Sequence, residues 1–368
     1  MKTSVVKFIK RNPVVIIAFF AAILTTFFVP PDAQYLSYFD YKTLTCLFCT
    51  LAIVCALKNI NFFYVLAHKI VEIFHTARIA VLALCYITFI GSMLIANDMA
   101  LLTFLPLGYM VLSSTGKQKY MAFTFVMQNI AANLGGMLTP FGNPQNLYLY
   151  SKFEIPTGEF LSIMAPPFVL SILLMTVFCV LFVKPEPLTI EGERIKLSPK
   201  RTALYLFLFA LSIVIVFRVV PYLLGLILIP LVLLFVDRKA LRDVDYGLLC
   251  TFVFFFVFAG NMARIEGVHE LLCDFLRGNT LLTSILSCQV ISNVPSAILL
   301  SQFTDNYREL LLGVNIGGVG TLISSLASLI TFRRFRKYQP ENTGKYLLTF
   351  TAFNFAFLIL LTALCLFL

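Results

Sequence analysis

Polar side chains interrupt several strongly apolar stretches of this sequence, where a lipid-facing segment would carry none. They fall into three groups, at residues 97–98, 142–146 and 292–293. Amides, hydroxyls and carboxylates are costly in hydrocarbon unless they have partners, so such groups normally surround a bound ion or ligand. The pattern predicts a polar binding site inside a membrane protein. The residues expected to form this site are Asn97, Asp98, Thr139, Gly142, Asn143, Gln145, Asn146, Ser292, Asn293, Thr321, Ser324 and Ser325.

The second group breaks a helix. Pro140, Gly142 and Pro144 fall within five residues and free backbone N–H and C=O groups in the middle of an apolar segment. At membrane depth such groups are tolerated only where protein or a water-filled cavity covers them. The equivalent stretch of the second half carries Ser324 and Ser325 but no proline. A ligand cavity is the favoured interpretation, and a proline kink without function is the alternative.

Asp98 is the most distinctive single residue of the sequence. Every other acidic residue falls in a loop, at the end of a span or on an interfacial segment, whereas Asp98 is expected at mid-membrane depth. A carboxylate there normally faces a cavity and binds or shuttles a cation. If residues 78–95 crossed the whole membrane, Asp98 would instead lie at the membrane edge as a helix cap.

No arrangement of catalytic or metal-binding residues accompanies these groups. The three histidines are isolated, and Cys46 and Cys49 form a CxxC pair inside a hydrophobic segment without a second pair. The sequence has no HExxH motif and no visible nucleophile–base arrangement. We therefore expect neither an enzyme nor a cofactor.

The surrounding elements are predicted from composition. Of 368 residues, 60% are hydrophobic and 12% are charged, and the mean hydropathy is +0.91, whereas a soluble domain is about one quarter charged. Long apolar runs recur from end to end, which indicates an all-α polytopic membrane protein in the lipid bilayer. The net charge of +10 comes from basic residues in short loops between these runs, and this distribution argues against a nucleic-acid partner.

Nine apolar segments have spanning length, and two further regions, 78–113 and 280–304, are each interrupted by a polar tip. The arms of the second region reach roughly 15–18 Å, too short for a ~30 Å hydrocarbon core, so we expect a re-entrant helical hairpin. The first region is assigned in the same way, although 78–95 alone could span. Segments 59–76 and 263–278 are expected at the interface. The nine expected transmembrane helices are 14–29, 41–57, 120–147, 159–183, 201–217, 221–236, 247–262, 309–332 and 346–368.

Basic residues orient the chain. With the N-terminus inside, 22 of the 28 Lys and Arg residues fall in cytoplasmic segments, as the positive-inside rule requires. This multi-pass topology in the cell membrane puts the C-terminus outside, and the two hairpins enter from opposite sides. The arrangement is an inverted repeat, the ground plan of many secondary transporters.

Two sequence matches support the repeat. Residues 133–136 (Asn-Leu-Gly-Gly) with Thr139 match residues 315–318 (Asn-Ile-Gly-Gly) with Thr321 at a constant offset of 182. The two polar tips correspond at an offset of about 195. The expected divisions are a first repeat over 1–183, a cytoplasmic linker over 184–200 and a second repeat over 201–368.

The predicted site contains no Lys or Arg, so helix N-termini, hydroxyls, amides and backbone N–H groups would hold an anionic substrate. Broken helices also expose carbonyl groups suited to Na⁺, with possible positions near Asn97, Asn143 and Asn293. We expect co-transport of a small anion, a carboxylate or an inorganic oxyanion, with Na⁺ or H⁺. A sodium/proton antiporter, in which Asp98 carries the ion, is the alternative; a channel or a membrane-embedded enzyme is disfavoured.

Three motifs are shared with a known group of proteins: Asn97-Asp98-Met99-Ala100 with Pro106, Ala132-Asn133-Leu134-Gly135-Gly136-Met137-Leu138-Thr139-Pro140-Phe141-Gly142-Asn143-Pro144-Gln145-Asn146, and Ser292-Asn293-Val294-Pro295. They resemble the ion-transporter superfamily, which includes citrate-transporter-like permeases, arsenite permeases, divalent anion:sodium symporters and some sodium/proton antiporters. The resemblance covers nearly the whole chain, in order and in both halves. The second motif is quite specific, and the two tips are weaker alone.

The resemblance implies an elevator-type homodimer, in which a transport domain with both hairpins and both broken helices slides against a dimerising scaffold. Sodium–carboxylate members typically carry Ser-Asn-Thr at both tips, whereas this chain has Ala-Asn-Asp and Ser-Asn-Val. That departure favours the branch of arsenite-type or small permeases. The site residues implied by the resemblance are Asn97, Asp98, Asn143, Asn146, Ser292 and Asn293, with Ser324 and Ser325 as further candidates.

Overall fold

The computed structural model describes residues 13–65, 75–188 and 197–367, and in these ranges the ordered elements are helices. Outside the helices, the described backbone forms one isolated antiparallel bridge, between Thr76 and Pro187. The helices are α1 Pro13–Thr26, α2 Tyr41–Asn59, α3 Ala77–Ile95, α4 Asn97–Ser114, α5 Met121–Gly135, α6 Pro144–Lys152, α7 Thr157–Phe182, α8 Pro199–Val216, α9 Tyr222–Val236, α10 Arg238–Arg242, α11 Tyr246–Arg264, α12 Glu266–Gly278, α13 Thr280–Ile291, α14 Asn293–Leu300, α15 Tyr307–Ile316, α16 Leu326–Tyr338 and α17 Thr343–Leu366.

Six helices of the described ranges are long and apolar enough to cross a membrane, namely α2, α3, α7, α8, α11 and α17 with the turn before it. Three more, α1, α9 and α13, are apolar but shorter. The chain is therefore an all-helical polytopic membrane protein, as predicted. The count of nine full spans stays a prediction, because the expected spans 120–147 and 309–332 are each divided into two helices.

Two consecutive helix pairs, α3–α4 and α13–α14, each turn at one residue with a positive φ. These residues are Ala96, with φ 62° and ψ 148°, and Ser292, with φ 77° and ψ 159°. The arms α13 and α14 have 12 and 8 residues and reach only ~18 and ~12 Å. With 19 residues, however, α3 is long enough to span. Re-entry from opposite sides thus stays a prediction, and in the first pair α3, but not α4, is among the helices that could cross the membrane.

Corresponding contacts recur in the two halves. Thr139 Oγ1 donates to the Met93 carbonyl oxygen at 2.7 Å, and Thr321 Oγ1 donates to that of Gln289 at 3.1 Å. Each bond ties the stretch after a broken helix to the first arm of the pair in its own half. The two acceptor residues are 196 positions apart, which is the spacing of the two tips. The two donor residues are 182 positions apart, which is the spacing of the Asn-x-Gly-Gly motifs. Hydrogen bonds at equivalent positions of the sequence therefore correspond in the two halves, while the inverted repeat as a whole stays a prediction.

Close packing at one glycine in each half holds these arms in place. A Cβ atom on Gly135 would lie 2.6 Å from Ser92 Oγ, and one on Gly317 would lie 2.8 Å from Cys288 Cβ. Neither position can accept a side chain without displacing the first arm. The Gly-Gly motifs thus allow each arm to pack directly against a broken helix.

The two halves cross at the centre of the molecule. From the second half, α16 contacts α4 and α5 of the first; in turn α6 of the first half contacts α14 and α15 of the second. Each half therefore completes its core with helices of the other. The boundaries predicted at residues 183 and 200 stay predictions.

Polar contacts join residues that the predicted topology puts on the same face. Arg264 pairs with Asp32 at 2.7 Å, among residues expected outside. Lys117 and Lys119 pair with Glu186 at 2.9 and 2.5 Å, among residues expected inside. Which face is cytoplasmic stays a prediction.

The interfacial segment 263–278 corresponds to α12, whose Leu271 and Phe275 are exposed beside its charged residues. Most of the other expected interfacial segment, together with the basic N-terminus and the middle of the linker, lies outside the described residues. The positions concerned are 1–12, 66–74 and 189–196.

Candidate functional site

The two tips have the same local structure. Asn97 Oδ1 accepts the backbone N–H of Asp98 at 2.9 Å, and Asn293 Oδ1 accepts that of Val294 at 2.9 Å. This leaves each Asn amide nitrogen pointing away from its own helix. Asn97 Nδ2 donates to Asn133 Oδ1 at 3.3 Å, which links the first tip to α5.

Both tips converge where the Asn-x-Gly-Gly motifs of the two halves meet. A Cβ atom on Gly318 would lie 3.0 Å from Asn293 Nδ2 and 3.7 Å from Asn133 Oδ1. The second tip is also joined to its own half, because the Asn293 N–H donates to the Ser324 carbonyl oxygen at 2.9 Å. Ser292 Oγ lies 3.3 Å from the same oxygen. The sequence elements predicted to form one site are therefore together.

The amides of the first break bind Asn315 of the second half. Asn315 Oδ1 accepts from Asn143 Nδ2 at 3.3 Å and from Gln145 Nε2 at 3.4 Å. Asn315 Nδ2 donates to Asn146 Oδ1 at 2.6 Å and to the Leu311 carbonyl at 2.8 Å. One buried side chain thus fixes three residues of the motif predicted to bind the ligand.

A second polar chain crosses between the halves. Asn129 Nδ2 donates to Ser328 Oγ at 3.2 Å, and Ser328 Oγ lies 3.0 Å from Ser325 Oγ. On the other side, Asn133 Nδ2 donates to the Asn129 carbonyl at 3.1 Å. The first tip is therefore connected through α5 to the N-terminus of α16.

Several predicted site residues support the breaks themselves. Asn146 Nδ2 donates to the carbonyl oxygens of Gly136, Met137 and Thr139, at 3.1–3.3 Å. Ser324 Oγ donates to the carbonyls of Gly318 and Thr321 at 2.9 and 2.8 Å. These side chains satisfy carbonyl groups that the interrupted helices leave without partners. Whether they also touch a ligand stays a prediction.

Two buried oxygen atoms at this centre, Asn143 Oδ1 and Gln145 Oε1, have no hydrogen-bond partner among the described residues. The same holds for Asp98 Oδ1, which belongs to the first tip. Asn143 and Gln145 are each only 1% exposed. Buried polar atoms are normally satisfied, so unpartnered oxygens in a cluster are suited to a cation or a protonated group. Four helices, α4, α6, α14 and α16, begin at this cluster. Their N-termini carry partial positive charge, which favours an anion.

The sequence prediction missed Asn129, Asn133, Asn315 and Gln289 as members of the cluster. Gln289 holds the second break, because its Nε2 donates to the Gly317 carbonyl and its Oε1 accepts the Thr321 N–H, both at 2.9 Å. Asn133 and Asn315 recur at equivalent positions of the two halves, and this recurrence is the signal in the sequence that both amides have a role.

A family model described as "Citrate transporter" matches residues 5–307 of this chain. An uncharacterized transporter of Methanocaldococcus jannaschii is 35% identical over 300 residues, which cover 80% of this chain and 81% of that protein. The inner membrane protein YbiR of Escherichia coli is 28% identical over 322 residues, 84% of each chain. The matched family is one of those included in the resemblance drawn from the motifs.

Proposed function

The chain belongs to the citrate transporter family and is a membrane transporter, and from this premise we propose that it moves small anions by secondary active transport. The substrate would be a carboxylate or an inorganic oxyanion, coupled to Na⁺ or H⁺. The observation that carries the proposal is the crossing of the two broken helices, which brings both Asn tips and Asn315 into one buried polar cluster. We propose no catalytic step and no cofactor.

The chemistry of the cluster supports an anion together with a cation. Four helix N-termini supply partial positive charge and N–H groups, which suit a carboxylate or oxyanion. The unpartnered oxygens of Asp98, Asn143 and Gln145 supply partners for Na⁺ or for a proton. An anion and a cation bound together would also reduce the charge that must cross the low-dielectric interior.

We further propose a multi-pass protein of the cell membrane, with its N-terminus inside and its C-terminus outside, that works as a homodimer by an elevator motion. Support for the motion is the crossed arrangement of both tips and both breaks, which fits a unit that moves as one body. Asp98 Oδ1 specifically favours the second candidate, a sodium/proton antiporter. An arsenite-type efflux permease is the third, and it is supported by the tip residues Ala96, Asn97 and Asp98.

Counterflow in proteoliposomes tests these functions. Vesicles loaded with unlabelled citrate, succinate, sulfate or arsenite would be diluted into the matching labelled anion, with and without Na⁺. We expect exchange of at least one anion. A Na⁺-driven pH change without exchange of any anion would refute anion transport and support the antiporter.

A further inference from the structure

A polar cavity of about 540 Å³ lies apart from the amide cluster, among residues that the predicted topology puts outside. One part of its wall is the C-terminal end of α6 with Gln302, which follows α14. The other part is the short 3₁₀ helix Ala33–Tyr38, the start of α2 and the C-terminal half of α11. Sites for small molecules measure roughly 300–1,000 Å³. The cavity therefore has room for a small anion with part of its hydration water.

The acidic groups and one basic group of this cavity already have partners or face solvent. Arg264 is bound to Asp32 through two N–H···O bonds of 3.1 and 2.7 Å. Both carboxylate oxygens of Asp40 accept from Thr43, at 2.9 and 2.7 Å. Glu154 is exposed at the rim, where water screens its charge.

Two half-buried lysines supply positive charge, and the carboxylates of Asp40 and Asp305 interact electrostatically with Lys152 without a direct ion pair. The ammonium group of Lys42 forms no hydrogen bond or ion pair with any residue that the structure describes, and that of Lys152 forms no ion pair with one. Lys152 Nζ donates to Gln302 Oε1 at 3.3 Å, and Gln302 Nε2 donates to Tyr148 OH at 3.3 Å. An ammonium has three N–H donors, so most donors of this pair are unused and Lys152 is held in position.

We propose that this cavity is a second anion site, in which Lys42 and Lys152 bind a small multiply charged carboxylate or oxyanion from the outer solution. Its role as an entry site, from which the anion passes to the amide cluster, rests on the proposed function. Binding in the cavity itself does not. Unused ammonium donors that are partly shielded from water attract an anion more strongly than exposed lysines do.

A charge-sensitive thiol reaction tests binding without transport. Ser151→Cys would introduce a thiol on the cavity wall of the full chain, with Cys250→Ser and Cys273→Ser removing the accessible native thiols. We expect a sulfonate-bearing thiosulfonate to react on the order of tenfold faster than its trimethylammonium analogue at low salt. Citrate should slow the reaction.

Combining Lys42→Gln with Lys152→Gln should remove this preference, because both half-buried ammonium groups would be gone while the carboxylates of Asp40 and Glu154 stay in place. The control is Lys200→Gln, which deletes the same charge from an exposed residue expected on the other face, and it should leave the preference unchanged. If the cationic reagent reacted faster than the anionic one with the protein that keeps Lys42 and Lys152, the proposal would be overturned. A preference that survives the double substitution would overturn it as well.

Initial rates of anion uptake by proteoliposomes test the entry role. The double substitution should raise the KM for the external anion on the order of tenfold at low salt and leave the maximal rate unchanged. Salt on the order of 0.5 M should remove most of the difference by screening. An unchanged KM would refute the entry role. If the unsubstituted chain transported no anion, the proposed function would fail, while the reagent preference would still decide whether the cavity binds anions.

Discussion

At the residue scale, asparagine joins the two halves of this transporter. Its side chain offers an acceptor and two N–H donors, so one buried residue can bind groups from different helices. Asn315 accepts from two residues of the first half and donates to a third. Neither serine nor a carboxylate offers the same combination in a planar group. The amide-rich composition of the broken motifs follows from this need.

Replacing Asn315 tests its importance for stability. Asn315→Leu keeps the approximate size but leaves Asn143, Asn146 and Gln145 without a buried partner, at a cost of about 1–3 kcal/mol per unsatisfied group. We expect a lower thermal unfolding temperature in detergent and loss of counterflow. The matched control is Asn354→Leu, since Asn354 is buried on α17 and donates only within its own helix. Equal stability of the two variants would contradict the prediction.

Asp98→Asn separates coupling from binding. The amide is nearly isosteric with the carboxyl group but cannot carry a proton and binds a cation more weakly. We expect exchange of anions to continue while uptake driven by a Na⁺ or pH gradient is lost, measured on the same proteoliposomes. Asp274→Asn, at an exposed acid of α12, is the control. Normal gradient-driven uptake by the Asp98 variant would show that another group carries the ion.

Sequence patterns could identify these residues only in part. Asn97, Asn143 and Asn293 stand out because a polar residue in an apolar run is conspicuous. Gln289 and Asn129 do not stand out in this way, because neither belongs to a recognisable motif and the partners of each lie elsewhere in the chain: Asn129 donates to Ser328, 199 positions away. A pairing over that distance depends on how the halves cross, which no local pattern records.

At the element scale, each tip depends on a residue in a conformation that suits glycine. Ala96 and Ser292 have φ of 62° and 77° with extended ψ, a region in which a Cβ atom is strained. The conformation turns the chain between two helices within one residue. It also lets the following Asn cap its own neighbouring N–H.

The strain at Ala96 predicts an unusual response to glycine. Ala96→Gly should stabilise the protein by about 1 kcal/mol, because glycine adopts this conformation without the steric cost of a Cβ atom. Ala100→Gly, four residues later and inside α4, should destabilise it by about 1 kcal/mol. Thermal unfolding in detergent would measure both. Shifts of the same sign would argue against the tip conformation.

A second element-scale feature is the attachment of the segment that connects the halves. The Ala77 N–H donates to the Glu186 carbonyl at 2.8 Å, and the Leu188 N–H donates to that of His75 at 3.0 Å. Hydrogen bonds from Lys119, then Lys117 and Tyr120, lower the pKa of the Glu186 carboxyl from its usual 4.5 to about 2. The connection is thus fixed to the start of α3 and to the loop before α5.

The lowered pKa predicts a pH-dependent contribution to stability. Because the folded-state pKa lies below the ordinary value, the ionised Glu186 stabilises the fold above about pH 4.5 and loses this effect as the pH falls towards 2. Glu186→Gln should therefore lower the unfolding temperature at about pH 7 and have a smaller effect at about pH 3. Glu341→Gln, at an exposed acid, should show no such difference. A deficit of equal size at both pH values would refute the ionic contribution.

At the scale of the whole molecule, composition and the recurrence of long apolar runs were sufficient to predict a helical membrane protein. They could not fix how many segments cross the bilayer. The helix α3 is long enough to span, whereas its counterpart α13 is not. That difference between equivalent elements arises from arm length, while the conformation of their tips is the same. Sequence matches at the tips therefore predict the turn but not the path through the lipid.

Labelling of introduced cysteines tests the orientation. Gln34→Cys lies in a loop expected outside, and Gln118→Cys and Gln339→Cys line one small pocket expected inside. In a background that carries Cys250→Ser and Cys273→Ser, a membrane-impermeant maleimide added to intact cells should label only the Gln34→Cys variant. Permeabilised cells should allow all three to react. Labelling of Gln118→Cys in intact cells would reverse the assigned faces, and different behaviour at positions 118 and 339 would contradict the pocket.

The crossing of the halves has a consequence for biosynthesis. Asn129 is made 199 residues before Ser328, its hydrogen-bond partner on α16, a delay of roughly 10–40 s at ordinary rates of translation. During that interval the buried amides of the first half have entered the bilayer without their final partners. The nascent chain therefore has to be sheltered at the insertion machinery, or bind water there, until the C-terminal helices arrive. Premature termination before α16 would leave a product that cannot assemble its centre.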